Sequence, residues 1–288
     1  MVWRVGLFYY AGSKTTPVSQ IDDFVQEFNG VIITTNNEGR SADLTTQIQR
    51  INDFWTQSPG YQIHAEVPYY NSSGIPRSEQ EMKDWIDSLE NAVGSKIAGY
   101  YFTPEGADSM WNDRIKMRNV VGYAKSKGRY TLWIPIDDWD LSGDPLAKIA
   151  DCDSYIGFTN ITPQPHYYQV KSTSPSRCCG KKSKDVKRPN GMSYVKLVEF
   201  MQYCKNRGYG VEFECDSSVL KSNIYDCENC GCGVGTDCVM RARNYYCAAR
   251  EVGGFTYIYH YFSNSIGNYR VVKNFNENTC PPGGFDTC

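Results

Sequence analysis

No cysteine occurs before residue 152 of this 288-residue chain, and only three histidines occur anywhere in it. The scarcity of histidine leaves no His/carboxylate cluster at metal-ligand spacing, so the usual metallohydrolase patterns are missing. No run of about 18 apolar residues is present, which excludes a membrane-spanning helix. Neither sign of charge dominates. A formal net charge of −2 gives no bulk attraction to nucleic acid or to anionic membranes. No glycine-rich phosphate loop follows the first strand-like segment, which argues against an open dinucleotide-binding sheet. There is no low-complexity tract, and an apolar content of 41% supports a packed core and excludes disorder. Nothing in the sequence calls for a cofactor or a resident metal.

The second half of the chain is different in kind. It holds all 12 cysteines, namely Cys152, Cys178, Cys179, Cys204, Cys215, Cys227, Cys230, Cys232, Cys238, Cys247, Cys280 and Cys288. An even count with dense local clustering predicts disulfides and an oxidising compartment. The chain enters a strand directly after Met1 with no signal peptide, and is read as a mature secreted protein carrying a replacement Met. The competing reading is an intracellular protein of a hyperthermophile, where disulfides also persist. Cys227, Cys230, Cys232 and Cys238 have spacings that zinc could use, but eight further cysteines favour disulfides.

Strand-like and helix-like segments alternate from end to end. Strands are predicted at residues 2–10, 30–35, 61–68, 97–104, 130–136, 154–159, 208–214 and 253–259. Helical spacing of apolar residues lies between them: Val18, Ile21, Phe24, Val25 and Phe28 in a helix over 17–28; Leu44, Ile48, Ile51 and Trp55; Met82, Trp85, Ile86, Leu89 and Val93. A helix is expected near 111–127, another with Tyr194, Leu197, Val198 and Met201 aligned, and a last one near 269–275. Eight β-then-α units over about 250 residues predict a (β/α)8 TIM-type barrel forming one domain over 1–288. Two insertions interrupt it, at 162–191 and 217–237, after the sixth and seventh strands. Both are βα loops that would stand over the barrel mouth, and both carry cysteines expected to staple them.

Two strands end on a carboxylate. The run Gly99-Tyr100-Tyr101-Phe102-Thr103-Pro104 delivers Glu105, and Gly210-Val211-Glu212-Phe213 delivers Glu214. Barrel enzymes build their active sites at this end of the strands. Two carboxyl groups from different tips are the simplest apparatus for cleaving a glycosidic bond. Glu105 is read as the acid/base, because it follows a proline beside aromatics, and Glu214 as nucleophile or base. Alternation puts Glu212, Glu214 and Asp216 on one face of the seventh strand and Val211, Phe213 and Cys215 on the other. Glu212 reads either as a buried ion-pair member or as a site acid. Asp137 and Asp138, at the fifth tip, are rivals for the second role. Tyr9, Tyr10, Tyr69, Tyr70, Trp139, Tyr167, Tyr168, Tyr259 and Tyr261 crowd the same ends, where rings can pack on sugar faces. His64 with Glu66 leaves a metal-dependent hydrolase as a further option.

Three stretches carry a resemblance: 99–106 (Gly-Tyr-Tyr-Phe-Thr-Pro-Glu-Gly), 162–168 (Thr-Pro-Gln-Pro-His-Tyr-Tyr) and 210–214 (Gly-Val-Glu-Phe-Glu). Together they resemble a little-characterised family of microbial TIM-barrel proteins, known as a domain of unknown function and grouped with glycoside hydrolases. The resemblance implies a sugar-cleaving or sugar-binding barrel, with Glu105 and Glu214 at the acidic positions and Gln164 and Tyr167 lining the mouth. The cysteine-rich loops depart from that family. The resulting expectation is a secreted glycoside hydrolase acting on a polysaccharide or glycoconjugate, without nucleic-acid or membrane partners. Substrate contacts are expected from Tyr10, Tyr69, Tyr101, Asp137, Trp139, Gln164, Tyr167 and Tyr259. The alternative is a non-catalytic carbohydrate-binding or structural extracellular barrel.

Overall fold

Short apolar runs too brief for helices form the strands, and each amphipathic stretch between them folds back as a helix over the strands it joins. The computed structural model describes residues 3–8, 20–34, 43–136, 146–165, 167, 193–215, 217–220, 235–261, 266–273 and 280–285. The strands are β1 (Trp3–Phe8), β2 (Gly30–Ile33), β3 (Gln62–Val67), β4 (Gly99–Phe102), β5 (Tyr130–Trp133), β6 (Asn160–Ile161), β7 (Val211–Glu214) and β8 (Tyr257–Tyr261). The helices are α1 (Ile21–Glu27), α2 (Leu44–Gln57), α3 (Glu79–Val93), α4 (Ala107–Asn112), α5 (Arg114–Ser126), α6 (Ala147–Ile156), α7 (Tyr194–Asn206), α8 (Gly235–Glu251) and α9 (Ile266–Lys273). No described helix is long and apolar enough to cross a membrane.

All eight strands are parallel, in the order β6-β5-β4-β3-β2-β1-β8-β7. Two backbone hydrogen bonds join the ends of this order. The Gly210 N–H donates to the Ile161 carbonyl at 2.8 Å and the Glu212 N–H to the Pro163 carbonyl at 3.1 Å. The sheet is therefore a (β/α)8 barrel, as the alternation predicts. Gly210 is the residue that permits closure. A Cβ there would lie 2.4 Å from Thr162 Cγ2 and 2.7 Å from the Tyr257 carbonyl oxygen.

Alternation along each strand divides the core in two. Val5, Ile32, Tyr101, Leu132, Ile134, Tyr257 and Tyr259 pack together inside the barrel. Val31, Ile33, Ala65, Val67, Phe102, Val211 and Phe213 face outward against the helices. Helix starts are set by side-chain caps. Asp43 accepts from the Thr45 and Thr46 amides at 3.1 and 3.3 Å, Ser78 and Glu81 form a capping box, and Ser193 caps α7. Gln47 ties α2 to the sheet. Its Nε2 donates to the Ile33 and Glu66 carbonyls, both at 3.1 Å, and its Oε1 accepts from the Trp85 indole at 3.1 Å.

Several boundaries move from their predicted places. Residues 154–159 are not the sixth strand. Ile149, Cys152 and Ile156 recur at helical spacing and bury one face of α6, which ends at Gly157 in the left-handed region. The sixth strand is the two residues that follow the turn, Asn160–Ile161. The eighth strand starts later than residue 253, because Gly253 and Gly254 take φ of 82° and 78° in the turn before it. On α2 the buried aromatic is Phe54, with Trp55 at the rim. The predicted helix near 111–127 is two helices meeting at Asp113.

Cysteine pairing also differs. Cys247 and Cys280 form a disulfide that fastens the C-terminal segment to α8. Cys152, Cys204 and Cys215, by contrast, are buried thiols on α6, on α7 and just after β7. All three belong to the packed layer between sheet and helices, and the Cys152 thiol donates to the Ala107 carbonyl at 3.6 Å. The cysteines of the two long loops lie outside the described residues.

The closure makes Gly210 the most sensitive backbone position in the sheet. Gly210→Ala must displace β6 or β8, and is expected to lower stability by about 1–3 kcal/mol in urea unfolding. An unchanged midpoint would mean that the β6–β7 seam is loose.

Candidate functional site

Glu105 follows β4 and is fixed at its backbone. The Trp133 indole N–H donates to the Pro104 carbonyl at 2.9 Å, and the Ile136 N–H donates to the Glu105 carbonyl at 2.8 Å. Its side chain shares the inner face with Tyr101, whose hydroxyl donates to Glu105 Oε1 at 3.0 Å. Glu105 is half-buried and borders a cavity of about 200 Å³ lined by Tyr70, Thr103, Pro104, Gly106, Ser109 and Ile136.

Glu214 ends β7 and is 2% exposed. It accepts a hydrogen bond from the hydroxyl of Tyr245, which projects from α8. Tyr245 is held from both sides. Its ring stacks on Phe213 with centroids 5.5 Å apart and meets Tyr167 edge-on at 5.6 Å. The Tyr167 hydroxyl accepts from Asn244 Nδ2 at 2.7 Å, and the Arg241 guanidinium lies 4.0 Å from the Tyr167 ring centre.

Two residues before Glu214, on the same face of β7, sits Glu212. Its register partner on β8 is Tyr259, and the closing hydrogen bonds place Gln164 alongside it on the other flank. Glu212 is 2% exposed, and its Oε2 is buried with no hydrogen-bond partner. The ion-pair reading of Glu212 is therefore corrected: no cation faces it among the described residues, because its neighbours on this face are acids, a phenol and an amide. Burial first, and then the negative charges of Glu214 and Glu105, push its carboxyl well above the ordinary value of 4.5. Both of those charges thus act on Glu212.

The remaining predicted residues divide. Tyr101, Tyr259 and Gln164 face the barrel interior, with Gln164 Nε2 donating to the Ile134 carbonyl at 3.2 Å. Tyr69 and Tyr167 pack in the outer layer against the helices. The Tyr69 hydroxyl donates to Asp113, and the Lys116 ammonium sits 4.6 Å from its ring centre, so Tyr70 takes the place in the cavity wall. Tyr9, Tyr10, Asp137, Asp138, Trp139 and Tyr168 lie outside the described residues. Tyr245 carried no signal in the sequence, because its role depends on where α8 docks. His64 and Glu66 are both buried on the inner face of β3. Burial lowers His64 to about 4, against a weaker opposing hydrogen bond to Val31, so it is neutral near pH 7. Among the described residues no group of three or more His, Cys, Asp or Glu side chains is placed to hold a metal ion.

No family model matches the chain, and no curated protein matches it in sequence. Solved structures do match in fold. A thermostable mutant of a xylanase from Cellvibrio japonicus superposes over 90% of this chain and 86% of its own, with a TM-score of 0.53 at 12% identity. A GH18 chitinase from Pseudoalteromonas aurantia covers 93% of this chain and 97% of its own, with a TM-score of 0.53 at 12% identity. The N-terminal domain of an aldolase candidate from Bacteroides vulgatus also matches, over 90% of this chain and 72% of its own, with a TM-score of 0.50 at 8% identity. Likeness at this identity shows the fold alone: a TIM barrel, shared by the xylanase, the chitinase and the aldolase domain. The chemistry has to be argued from the site.

The burial of Glu212 has a measurable consequence. Above pH about 4.5 the unfolded chain releases this proton while the folded chain keeps it, so the group subtracts stability as pH rises. Glu212→Gln is expected to raise Tm near pH 8, by about 2–4 °C for each kcal/mol relieved. The gain should vanish toward pH 4. Coincident melting curves at pH 8 would show that the carboxyl is solvated.

Proposed function

We propose that this protein is a glycoside hydrolase of the two-carboxylate type, acting on a polysaccharide or glycoconjugate. The observation that carries the reading is the pairing of tips: Glu105 beside an open cavity on β4, and Glu214 held by Tyr245 on β7. Glu105 donates its proton to the glycosidic oxygen as the C–O bond breaks. Glu214, kept as an acceptor by the Tyr245 hydroxyl, either bonds to the anomeric carbon or takes a proton from the attacking water. A separation of about 5 Å between the carboxyl groups gives retention, and about 6.5–9.5 Å gives inversion. Tyr70 and Tyr101 supply ring and hydroxyl surface for a sugar beside Glu105. The Cys247–Cys280 disulfide supports an oxidising, extracellular setting.

A second reading, a sugar-binding barrel without chemistry, is favoured by the near-complete burial of Glu214. Release of reducing ends from xylan, chitin and chitosan separates the two. Cleavage is expected, with Glu105→Gln and Glu214→Gln each lowering kcat by about 10²–10⁴-fold while Tm holds. Turnover unchanged in both variants would remove the assignment. Binding with no product would favour the second reading.

A further inference from the structure

Two Asn-x-Ser/Thr triplets in the chain take no part in the catalytic reading, Asn71-Ser72-Ser73 and Asn160-Ile161-Thr162. Such a triplet is the acceptor signal for N-linked glycosylation when it lies in a surface loop of a secreted protein. In the sequence the two have equal standing, and their places in the fold separate them. Asn160 begins β6, with Leu132 of β5 as its register partner. Ile161 packs outward against the helices, so alternation turns Asn160 inward. The Thr162 N–H donates to the Trp133 carbonyl at 3.0 Å, and Thr162 is fully buried. A glycan on Asn160 would therefore have to fit inside the strand that closes the barrel.

Asn71 lies in the turn between β3 and α3. Tyr70 and Pro76 pair across this turn as an antiparallel bridge. The Asn71 N–H donates to the Ile75 carbonyl and the Gly74 N–H to the Asn71 carbonyl, both at 2.9 Å. The Asn71 side-chain oxygen accepts from the Ser73 and Ile75 amides, both at 3.0 Å, which uses both of its lone pairs. Its Nδ2, the atom that carries an N-linked sugar, donates to no described residue. Ser72, Ser73, Gly74 and Ile75 are all exposed. Attachment of a sugar at Nδ2 thus costs none of the hydrogen bonds that shape the turn.

We propose that Asn71 is a site of N-linked glycosylation and that Asn160 is not. The donor is an oligosaccharide carried on a polyisoprenyl diphosphate, and a membrane transferase supplies the catalysis. A bond forms between Asn71 Nδ2 and the reducing-end carbon of the oligosaccharide. The C–O bond to the diphosphate breaks, the polyisoprenyl diphosphate leaves with that electron pair, and Nδ2 gives up one proton. Nothing is oxidised or reduced. The proposal is independent of the hydrolase reading and rests on the oxidising, extracellular setting that accompanies it. Tyr70, the residue before Asn71, lines the Glu105 cavity, so the glycan is rooted beside the cavity wall. An exposed triplet that is never modified is the rival, and the secreted chain itself tells the two apart.

The test is secretion of the intact chain from cultured human cells behind a cleavable signal peptide. Peptide mapping by mass spectrometry follows, before and after treatment with peptide-N-glycosidase. The main species is expected to carry a single glycan, on Asn71, with Asn160 unmodified. Ser73→Ala removes the hydroxyl that the signal requires and leaves the hydrogen bonds of the turn in place, because only the Ser73 amide takes part in them. Complete loss of the glycan is expected in that variant, with the chain still secreted. A bare Asn71, a glycan on Asn160, or a glycan on Asn71 that persists in Ser73→Ala would each overturn the proposal. Transfer takes place on the emerging chain, so a bare Asn71 in the unaltered protein is decisive even if the variant misfolds. The state of Cys247 and Cys280 in the same maps shows which premise failed. A bare Asn71 with the disulfide formed removes the glycosylation site alone, and a bare Asn71 with both thiols reduced removes the oxidising setting as well.

Discussion

The seam between β6 and β7 is the constraint on which the site depends. β6 is two residues long, and it meets β7 through two backbone hydrogen bonds, from Gly210 to Ile161 and from Glu212 to Pro163. So short a strand pairs only if the neighbouring backbone comes close, and the missing side chain at Gly210 allows it to do so. Once the seam closes, alternation leaves Glu212 and Glu214 no choice but the interior. Val211 and Phe213 must then face α8. The same closure brings Gln164 beside Glu212 and turns β7 toward the tip of β4. An open sheet with identical strands would leave Glu105 and Glu214 at separate places along it.

The acidic interior is held from outside as much as from within. Tyr245 belongs to α8, yet its hydroxyl reaches Glu214, because Phe213 and Tyr167 fix its ring from two sides. Asn244, its neighbour on the helix, bonds the Tyr167 hydroxyl and exchanges two further bonds with the backbone of Phe285. The Cys247–Cys280 disulfide fastens that C-terminal segment to the same helix. Glu214 thus sits at the inner end of a chain of contacts that begins near the C-terminus. Rigid support of this kind is what a carboxylate needs if it is to hold one orientation. On the β4 side the Trp133 indole and the Ile136 amide fix the backbone around Glu105.

Strand burial explains which expectations from the sequence held and which moved. Met82, Trp85, Ile86, Leu89 and Val93 are buried as their spacing predicts, because one helix face packs on a nearly uniform outer sheet surface. Residues 154–159 misled because Tyr155, Ile156 and Phe158 form a mixed aromatic and apolar run that suits a strand or a helix equally. The choice fell to Gly157, whose left-handed conformation ends α6. Tyr69 and Tyr70 are adjacent aromatics at one tip, and no composition argument separates them. Asp113 and Lys116, brought in by α5, claim the first and leave the second beside the cavity.

What the sequence determined by itself is the alternation of eight strands with helices, the delivery of Glu105 and Glu214 at strand ends, and the face that Glu212 shares with Glu214. Periodicities of 2 and 3.6 residues follow from local backbone geometry and need no neighbours. What the tertiary structure decided is which groups face those carboxylates: Tyr101 for Glu105, Tyr245 for Glu214, and for Glu212 no cation among the described residues. Partners of a buried charge come from segments far apart in the chain, and only closure of the barrel and docking of α8 fix which of them arrive.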